Sequence, residues 1–358
     1  MGLDFVSNEE IIQEARRRLN QGAWDYLVGG SESETTLRRN RLAFDRVAFR
    51  PRILIDVSDV DPSTTFMGQR LRIPALLAPI GSLQVFDPDG AVASTKAATE
   101  FGIMHVVSSV TEPALEDTAA ATATPKIFQL YVHGDMKWTE DILGRVKQAG
   151  YAALALTVDV AYYSRRERPM ITRYQPPTRR VPPNRKYLAS LTWETMDLIK
   201  EMAGLPFMLK GVQTAEDAEI AVQHGVDVIW VSNHGGRQID HGLGSMETLP
   251  EIVQAVSGRA RIIVDGGVQR GSDILKAVAL GADAVALGRL QGWGLAAGGK
   301  DGIVRMLEIL EDELISAMGL TGITSIGQAT PKHVCKAEAV TPPHEMSGWV
   351  NMSVGRIL

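Results

Sequence analysis

The sequence is poor in cysteine, and its single copy, Cys335, excludes an internal disulfide bond. No apolar run approaches the ~20 residues that a membrane span requires. Basic charge is not in excess either, because 37 Lys and Arg stand against 42 Asp and Glu, a formal net charge of −5. These absences argue against a disulfide-stabilised secreted domain, an integral membrane protein and a nucleic-acid-binding protein.

A cationic leader is also missing, because acids at Asp4, Glu9 and Glu10 occupy the region where a signal peptide would be basic. The chain has 358 residues, of which 45% are hydrophobic and 22% charged, as is typical of a globular protein. This length suits one large α/β domain or two ordinary ones. We expect a cytoplasmic protein that forms a single domain over residues 1–358.

Short apolar runs recur along the chain and alternate with helical segments that have alanine-rich faces, such as 214–224 and 271–280. Runs this short and this apolar are typical of parallel strands that are buried on both faces. There are eight of them, at 74–79, 103–107, 126–131, 152–158, 206–209, 226–231, 261–264 and 284–287.

Eight strand–helix units predict an α/β fold of the (β/α)₈ TIM-barrel type, over about residues 74–320. A doubly wound sheet would carry a glycine-rich fingerprint after its first strand, and the segment 79–82 does not supply one. Ser7, with Glu10 three residues on, predicts the cap of an N-terminal helical extension whose helix ends near Gly22.

The interval after the fourth run is unusually long and is rich in Pro and Arg. Residues 169–190 therefore predict a loop over the carboxyl end of the barrel, either a solvated insertion or a lid. The segment 303–318 predicts the last barrel helix, and the tail from Gly327 shows little pattern.

Chemically capable residues follow the runs at the ends where barrels carry their active sites. His234 and Arg237 come directly after the sixth run, with glycines between them that allow close approach of a ligand. A lone histidine is more often structural, but this placement favours a catalytic role. We interpret His234 as a base beside a fixed cation.

Glycine-rich turns follow the last two runs, the position where barrels bind phosphate through backbone N–H groups. Asp265-Gly266-Gly267 ends the seventh run, and Gly288-Arg289 ends the eighth. Each turn alone could be only a tight turn. Together they predict a cofactor that carries a phosphate, which Arg289 would bind bidentately.

Other polar residues near the carboxyl ends of the runs each allow two interpretations, one structural and one functional. Lys210 belongs either to a structural salt bridge or beside an anionic cofactor ring, and Asp159 is either a turn cap or the carboxylate that orients His234. Arg166, like Arg237, is either a surface charge or, near Tyr26 and Tyr131, part of a clamp for a substrate carboxylate.

The segment 232–240, Ser-Asn-His-Gly-Gly-Arg-Gln-Ile-Asp, resembles the signature of the FMN-dependent L-2-hydroxy acid oxidase and dehydrogenase family. That family includes glycolate oxidase, lactate oxidase and mandelate dehydrogenase. The resemblance extends over nearly the whole chain, through the segments 24–26, 49–52, 128–131, 156–159, 209–211 and 288–289.

The resemblance implies FMN as the cofactor, no metal ion, and oxidation of an (S)-2-hydroxy acid to a 2-oxo acid. It implies His234 as the base, supported by Asp159, with Lys210 stabilising the ring of the cofactor. Tyr26, Tyr131, Arg166 and Arg237 would bind the substrate. The implied cofactor-binding residues are Pro79, Ile80, Gly81, Ser108, Gln129, Thr157, Lys210, Ser232, Asp265, Gly266, Gly267, Gly288 and Arg289.

The electron acceptor stays open among oxygen, a quinone and a redox protein, and a homotetramer is what the family implies. Two departures concern the phosphate, because Gln269 stands where the family commonly has an arginine and Leu290 where it has a proline. One phosphate contact therefore stays open, and Arg270, the next residue, is the candidate to supply it.

Of three further departures, two concern the substrate and the third, Gly81, lies near the flavin. Val110 stands where glycolate oxidase has a bulky aromatic residue, Tyr163 where aliphatic residues are common, and Gly81 where several oxidases have alanine. The room that Val110 leaves, with Tyr163 beside it, predicts a medium-sized or aromatic substrate. Two alternatives are maturation of a peptide or an unusual small molecule, and FMN-dependent isomerisation.

Overall fold

The computed structural model of the protein describes residues 3–177 and 185–340. Ser7 caps the first helix as predicted, since its hydroxyl accepts a hydrogen bond from the backbone N–H of Glu10 at 3.4 Å. The elements that precede the central sheet are α1 (Asn8–Arg18), α2 (Gln21–Val28), α3 (Thr35–Asp45), β1 (Val47–Phe49), β2 (Thr64–Phe66) and β3 (Gln69–Leu71).

The predicted end of the first helix near Gly22 is wrong. α1 ends at Arg18, and Gly22 lies in the first turn of α2. Asn20 starts this second helix because its side chain accepts a hydrogen bond from the backbone N–H of Ala23 at 2.9 Å. Tyr26 therefore projects from a helix rather than from a loop.

Eight parallel strands form a closed barrel in the predicted chain order, so the TIM-barrel prediction is confirmed. Each predicted run contains or overlaps one of them. They are β4 (Ala75–Leu77), β5 (Met104–Ser108), β6 (Ile127–Leu130), β7 (Ala153–Thr157), β8 (Phe207–Val212), β9 (Val228–Val231), β10 (Arg261–Asp265) and β11 (Ala284–Leu287).

Helices surround the barrel and bury their apolar faces against it. Thr214 caps one of them as its sequence suggests, accepting a hydrogen bond from the N–H of Asp217. They are α4 (Gly90–Phe101), α5 (Leu115–Ala120), α6 (Met136–Gln148), α7 (Glu167–Ile171), α8 (Arg185–Ala189), α9 (Trp193–Ala203), α10 (Ala215–Gln223), α11 (Ser245–Val256), α12 (Gly271–Ala279) and α13 (Arg289–Thr321). Within the described part of the chain, none of the helices is long and apolar enough to cross a membrane.

The barrel has two apolar layers, one between strands and helices and one inside the strands. The inner layer includes Trp230 and Met208, and the hairpin of β2 and β3 adds Phe66 and Leu71 to it. This hairpin ends only four residues before β4 begins, so it closes the barrel at the amino ends of the strands. The carboxyl ends of the strands are therefore the ends at which the predicted site can form.

Three boundary predictions need correction. Residues 169–190 are not wholly a loop, because α7 and α8 lie at its two ends, while 178–184 fall outside the described residues. The predicted last helix is the second part of α13, after a kink at Gly298 and Gly299. The tail does contain structure: β12 (Val334–Lys336) pairs antiparallel with β1.

Candidate active site

A cleft of about 1430 Å³, part of it open to solvent, lies over the carboxyl ends of the barrel strands. Of the predicted site residues, those that line it are Tyr26, Pro79, Ile80, Gly81, Tyr131, Arg166, Lys210, His234, Arg237, Asp265, Gly266, Gly267, Gly288 and Arg289. Ser108, Gln129, Thr157, Asp159 and Ser232 are not among the lining residues of the cleft.

His234 is presented by a turn that a buried amide pair holds in place. The residue has a left-handed backbone, with φ of 60°, which is strained for a side chain of this size. Asn233 and Asn40 exchange two hydrogen bonds of 2.8 and 2.9 Å, and Asn233 also accepts from the N–H of Gly236. The strained turn is thus fixed to α3.

The two ring nitrogens of His234 have different partners. Nδ1 lies 3.0 Å from Oδ1 of Asp159, and Nε2 lies 3.3 Å from the hydroxyl of Tyr131. Gly211 permits this arrangement, because a Cβ at that position would come within 2.8 Å of the Cβ of Asp159. Histidine, carboxylate and phenol thereby form one chain of contacts.

The protonation states follow from the surroundings. Burial raises the pKa of Asp159, but the interactions of its carboxylate with His234 and Lys210 outweigh burial, so the carboxyl pKa lies below its ordinary value. Burial lowers the pKa of His234 more than Asp159 raises it. An ionised carboxylate only accepts hydrogen bonds, so Nδ1 carries the proton of a neutral ring and Nε2 is left basic.

Lys210 lies in a buried group of polar side chains between β8, β9 and β10. Its Nζ lies 3.1 Å from the carboxylate of Asp265 and donates to the hydroxyl of Ser232 at 2.8 Å. The same carboxylate accepts from Ser232 at 2.7 Å and from Nε1 of Trp230 at 3.0 Å. Asp265 therefore balances Lys210, in addition to any contact with a ligand.

A second buried row crosses β5, β6 and β7. Ser108 donates to Oε1 of Gln129 at 2.9 Å, and Nε2 of Gln129 donates to Thr157 at 2.9 Å. The register that pairs Ser108 with Gln129 across neighbouring strands sets this row. The row holds the amide of Gln129 fixed between two hydroxyls.

The predicted phosphate end is built on the start of α13. Gly288 caps that helix, and a Cβ there would meet no atom within 4 Å, so the glycine opens onto free space. Arg289 donates to the carbonyls of Gly235 at 2.9 Å and Gly29 at 3.0 Å. A helix N-terminus beside a guanidinium is a favourable place for an anion.

Arg270 does not take the place of the missing arginine. Its guanidinium pairs with Glu313 on α13, and it is not among the residues that line the cleft, whereas Gln269 is. The sequence reasoning missed Arg41 instead, which lines the cleft from α3 and donates to the carbonyl of Gly267 at 2.8 Å.

Arg41 is held by a buried bidentate ion pair with Asp273, at 2.6 and 2.9 Å. Asp273 also accepts from the backbone N–H groups of Gln269 and Arg270. Burial raises its pKa, but Arg41 outweighs burial and keeps the pKa below the ordinary value. This ion pair fixes the glycine-rich turn after β10. No local sequence pattern predicts the pair.

The two predicted clamp arginines line the same part of the cleft. Arg237 donates to the carbonyl of Tyr26 at 2.7 Å, with its guanidinium 5.1 Å from the centre of that tyrosine ring. Arg166 donates to the carbonyl of Arg237 at 3.0 Å. The hydroxyl of Tyr26 donates to the carbonyl of Gly81 at 3.0 Å.

Gln238 is a positioning residue that the sequence reasoning left without a role. Its Nε2 donates to the carbonyls of Asp159 at 2.7 Å and Tyr162 at 3.0 Å, and its Oε1 accepts from Arg166 at 3.1 Å. Gln238 thereby connects the loop that carries Asp159 to Arg166, one of the two arginines of the predicted clamp. Its place in the signature segment was the available signal.

One wall of the cleft is formed by residues from the loops after β5, β6 and β7. Val110 and Tyr163 lie there as expected, and His133, which the sequence reasoning did not single out, lies there too. A Cβ on Gly81 would come within 3.0 Å of Val110, so the glycine leaves this wall room.

Comparison with known proteins agrees with this geometry. The family model described as FMN-dependent dehydrogenase matches residues 15–336. A 2-hydroxyacid oxidase of Dictyostelium discoideum is 40% identical over 341 residues, which cover 90% of this chain and 88% of that protein. An L-lactate oxidase of a Nostoc species is 38% identical, with 88% and 94% covered.

Solved structures are similar over the same extent. The crystal structure of a mandelate oxidase has a TM-score of 0.87 and 38% sequence identity, and the match covers 94% of this chain and all of that one. The match covers more of the chain than the barrel alone, so the similarity extends beyond the barrel.

Proposed function

This chain belongs to the family of FMN-dependent dehydrogenases, and we propose that it oxidises an (S)-2-hydroxy acid with a medium-sized or aromatic side chain to the 2-oxo acid. The carrying observation is the 3.0 Å contact between Asp159 and His234, beside a cleft that Arg166 and Arg237 line. Relatives named as 2-hydroxyacid and L-lactate oxidases support oxidation, and none of them favours isomerisation or maturation.

The cleft residues fit FMN, on which this family depends. Arg289 and the first turn of α13 suit its phosphate, and the charge of Lys210 suits an electron-rich edge of its ring. When it is bound, FMN supplies the acceptor of two electrons from the substrate.

Oxidation to the 2-oxo acid removes two electrons and two protons from the substrate, and in this proposal His234 takes up one of the two protons. Nε2 is the accepting atom, since Nδ1 is engaged with Asp159. Asp159 keeps the ring oriented and stabilises the imidazolium that forms. Because the pKa of His234 is lowered by burial, the base stays unprotonated at neutral pH and is lost only as the pH falls through that pKa.

Arg166 and Arg237 would bind the substrate carboxylate. Arg166→Lys and Arg237→Lys keep the charge but lose the planar fork, so each should weaken binding of oxalate and of substrate about 10–100-fold. Oxalate binding is measured from the change in flavin absorbance. Arg165→Lys, an exposed neighbour, should leave the affinity unchanged. Unaltered oxalate affinity in both clamp variants would place the carboxylate elsewhere.

Val110 would set the size of the substrate. Val110→Trp should fill the wall, so the kcat/KM for mandelate relative to glycolate should fall at least tenfold, since each buried methylene contributes about 0.8 kcal/mol. Val110→Ile is the matched control and should change the ratio little. The size proposal fails if the tryptophan variant keeps the wild-type ratio, or if the wild type prefers glycolate to every larger acid.

We further propose molecular oxygen as the acceptor, which the relatives named as oxidases support, so that the 2-oxo acid and hydrogen peroxide form together. A cytoplasmic homotetramer, with residues 1–358 as one FMN-binding domain in each subunit, completes the proposal. A single cysteine fits such a reducing compartment.

An anaerobic titration tests the function directly. The FMN-loaded protein is mixed with a panel of (S)-2-hydroxy acids, and loss of flavin absorbance identifies those that are oxidised. We expect loss with the larger acids, and peroxide on admission of oxygen. If none of the panel changes the flavin spectrum, 2-hydroxy acid oxidation is not the activity.

A further inference from the structure

His133 lies on the wall of the cleft with Val110 and Tyr163, in the loop after β6. Its ring is nearly parallel to that of Tyr131, at 6° with the centroids 6.0 Å apart. Tyr131 in turn contacts His234, with ring centroids 6.4 Å apart. His133 is therefore separated from the proposed base by a single aromatic ring.

The Nε2 atom of His133 is buried and has no hydrogen-bond partner among the described residues. A buried polar atom left without a partner is unfavourable and uncommon in a folded protein. Trp138 packs beside the ring, with centroids 6.3 Å apart, and supplies an aromatic surface rather than an acceptor. Burial lowers the pKa of His133, so the imidazole is neutral and offers one donor and one acceptor nitrogen.

We propose that His133 determines specificity by hydrogen-bonding a hydroxyl group on the side chain of the substrate. The enzyme would then favour 2-hydroxy acids that carry a second hydroxyl, such as a phenolic one. A hydroxyl both donates and accepts, so it suits either tautomer of a neutral imidazole. This inference rests on the proposed function, because it assigns the substrate class of the same cleft.

Discrimination of this kind is strong, because a site built for a polar group leaves its own group unpaired when the substrate lacks it. The FMN-loaded wild type is compared on two matched pairs of (S)-acids. These are mandelate with 4-hydroxymandelate, and 3-phenyllactate with 3-(4-hydroxyphenyl)lactate. We expect about a tenfold or larger gain in kcat/KM from the hydroxyl in at least one pair.

His133→Phe keeps a ring that can stack on Tyr131 but removes both nitrogens, so the gain should disappear in this variant. The electronic effect of the phenol on the chemistry is common to both enzymes and cancels in the ratio. His133→Gln should retain part of the gain. His224→Phe is the matched control, since His224 stacks on Trp193 away from the cleft, and should retain all of it.

Equilibrium binding provides a readout that needs no turnover and no variant. The dissociation constants of benzoylformate and 4-hydroxybenzoylformate, measured from the flavin absorbance of the wild type, should differ in the same direction. A gain that is equal in wild type and His133→Phe overturns the inference. Equal kcat/KM values for both members of each pair also overturn the inference, but they do not contradict the proposed oxidation of 2-hydroxy acids. If none of the acids reacts, both this inference and the proposed function are overturned.

Discussion

Replacement of His234 by alanine is expected to slow oxidation of the substrate at least ~10²-fold, the usual scale for loss of a general base. The imidazole is the basic group that contacts both Asp159 and Tyr131, and no other side chain of that chain of contacts can take its place. Anaerobic stopped-flow measurement of flavin absorbance gives the rate. The wild-type rate should also fall at acid pH as His234 becomes protonated, and the variant should lose this dependence.

His241→Ala is the matched control for this substitution. His241 has the same left-handed backbone, with φ of 61° against 60° for His234, but it is exposed. Both variants therefore carry a similar backbone cost, and both should bind FMN with a normal visible spectrum. A near-normal rate in His234→Ala, or an equal loss in the two variants, removes His234 from the mechanism.

Arg41→Met is expected to destabilise the protein by about 3–5 kcal/mol, the typical effect of leaving one partner of a buried ion pair uncompensated. Asp273 would stay buried at 1% exposure, without the guanidinium that lowers its pKa. The turn of Gly266 and Gly267 would also lose a hydrogen bond, so FMN affinity should fall. Urea unfolding of the apoprotein and fluorescence titration with FMN measure the two effects.

The sign of the pH dependence is part of this prediction. The pKa of Asp273 is below its ordinary value in the folded protein, so the pair stabilises above the unfolded pKa and is lost as the pH falls through the folded one. The difference in stability between wild type and Arg41→Met should therefore shrink in acid.

Two controls separate the ion pair from packing. Arg145→Met removes an exposed pair with Glu116 and should cost no more than about 1 kcal/mol. Arg41→Met with Asp273→Leu replaces the pair by apolar groups and should recover part of the loss. If the double variant instead loses the sum of the two single losses, the coupling between Arg41 and Asp273 is not the cause.

The order of the barrel strands could be predicted from the sequence because local patterns identify each strand and each helix. Each buried strand is a short apolar run, and each helix repeats its apolar positions at its own period. Caps such as Ser7 and Thr214 also act within a few residues. The end of α1 was misplaced because Asn20 starts a new helix before Gly22 can end the old one.

The members of the candidate site could largely be predicted for the same reason, since parallel strands in a barrel bring their carboxyl ends to one face. Each of the three central residues follows a short apolar run that can be recognised in the sequence; they are Lys210, His234 and Asp265. The role of Arg270 could not be decided from the sequence because its partner, Glu313, lies on α13, and no pattern near Arg270 indicates which helix packs against it.

The sequence by itself therefore determined the fold class, the face that carries the site, and which reactive groups reach that face. Only the tertiary structure decided how those groups pair. Asp159 meets His234 across 75 residues, Arg41 meets Asp273 across 232, and the Nε2 atom of His133 is buried without a hydrogen-bond partner among the described residues. The physical reason is that periodicity and capping act within a few residues, whereas these contacts depend on barrel closure and on the paths of separate loops.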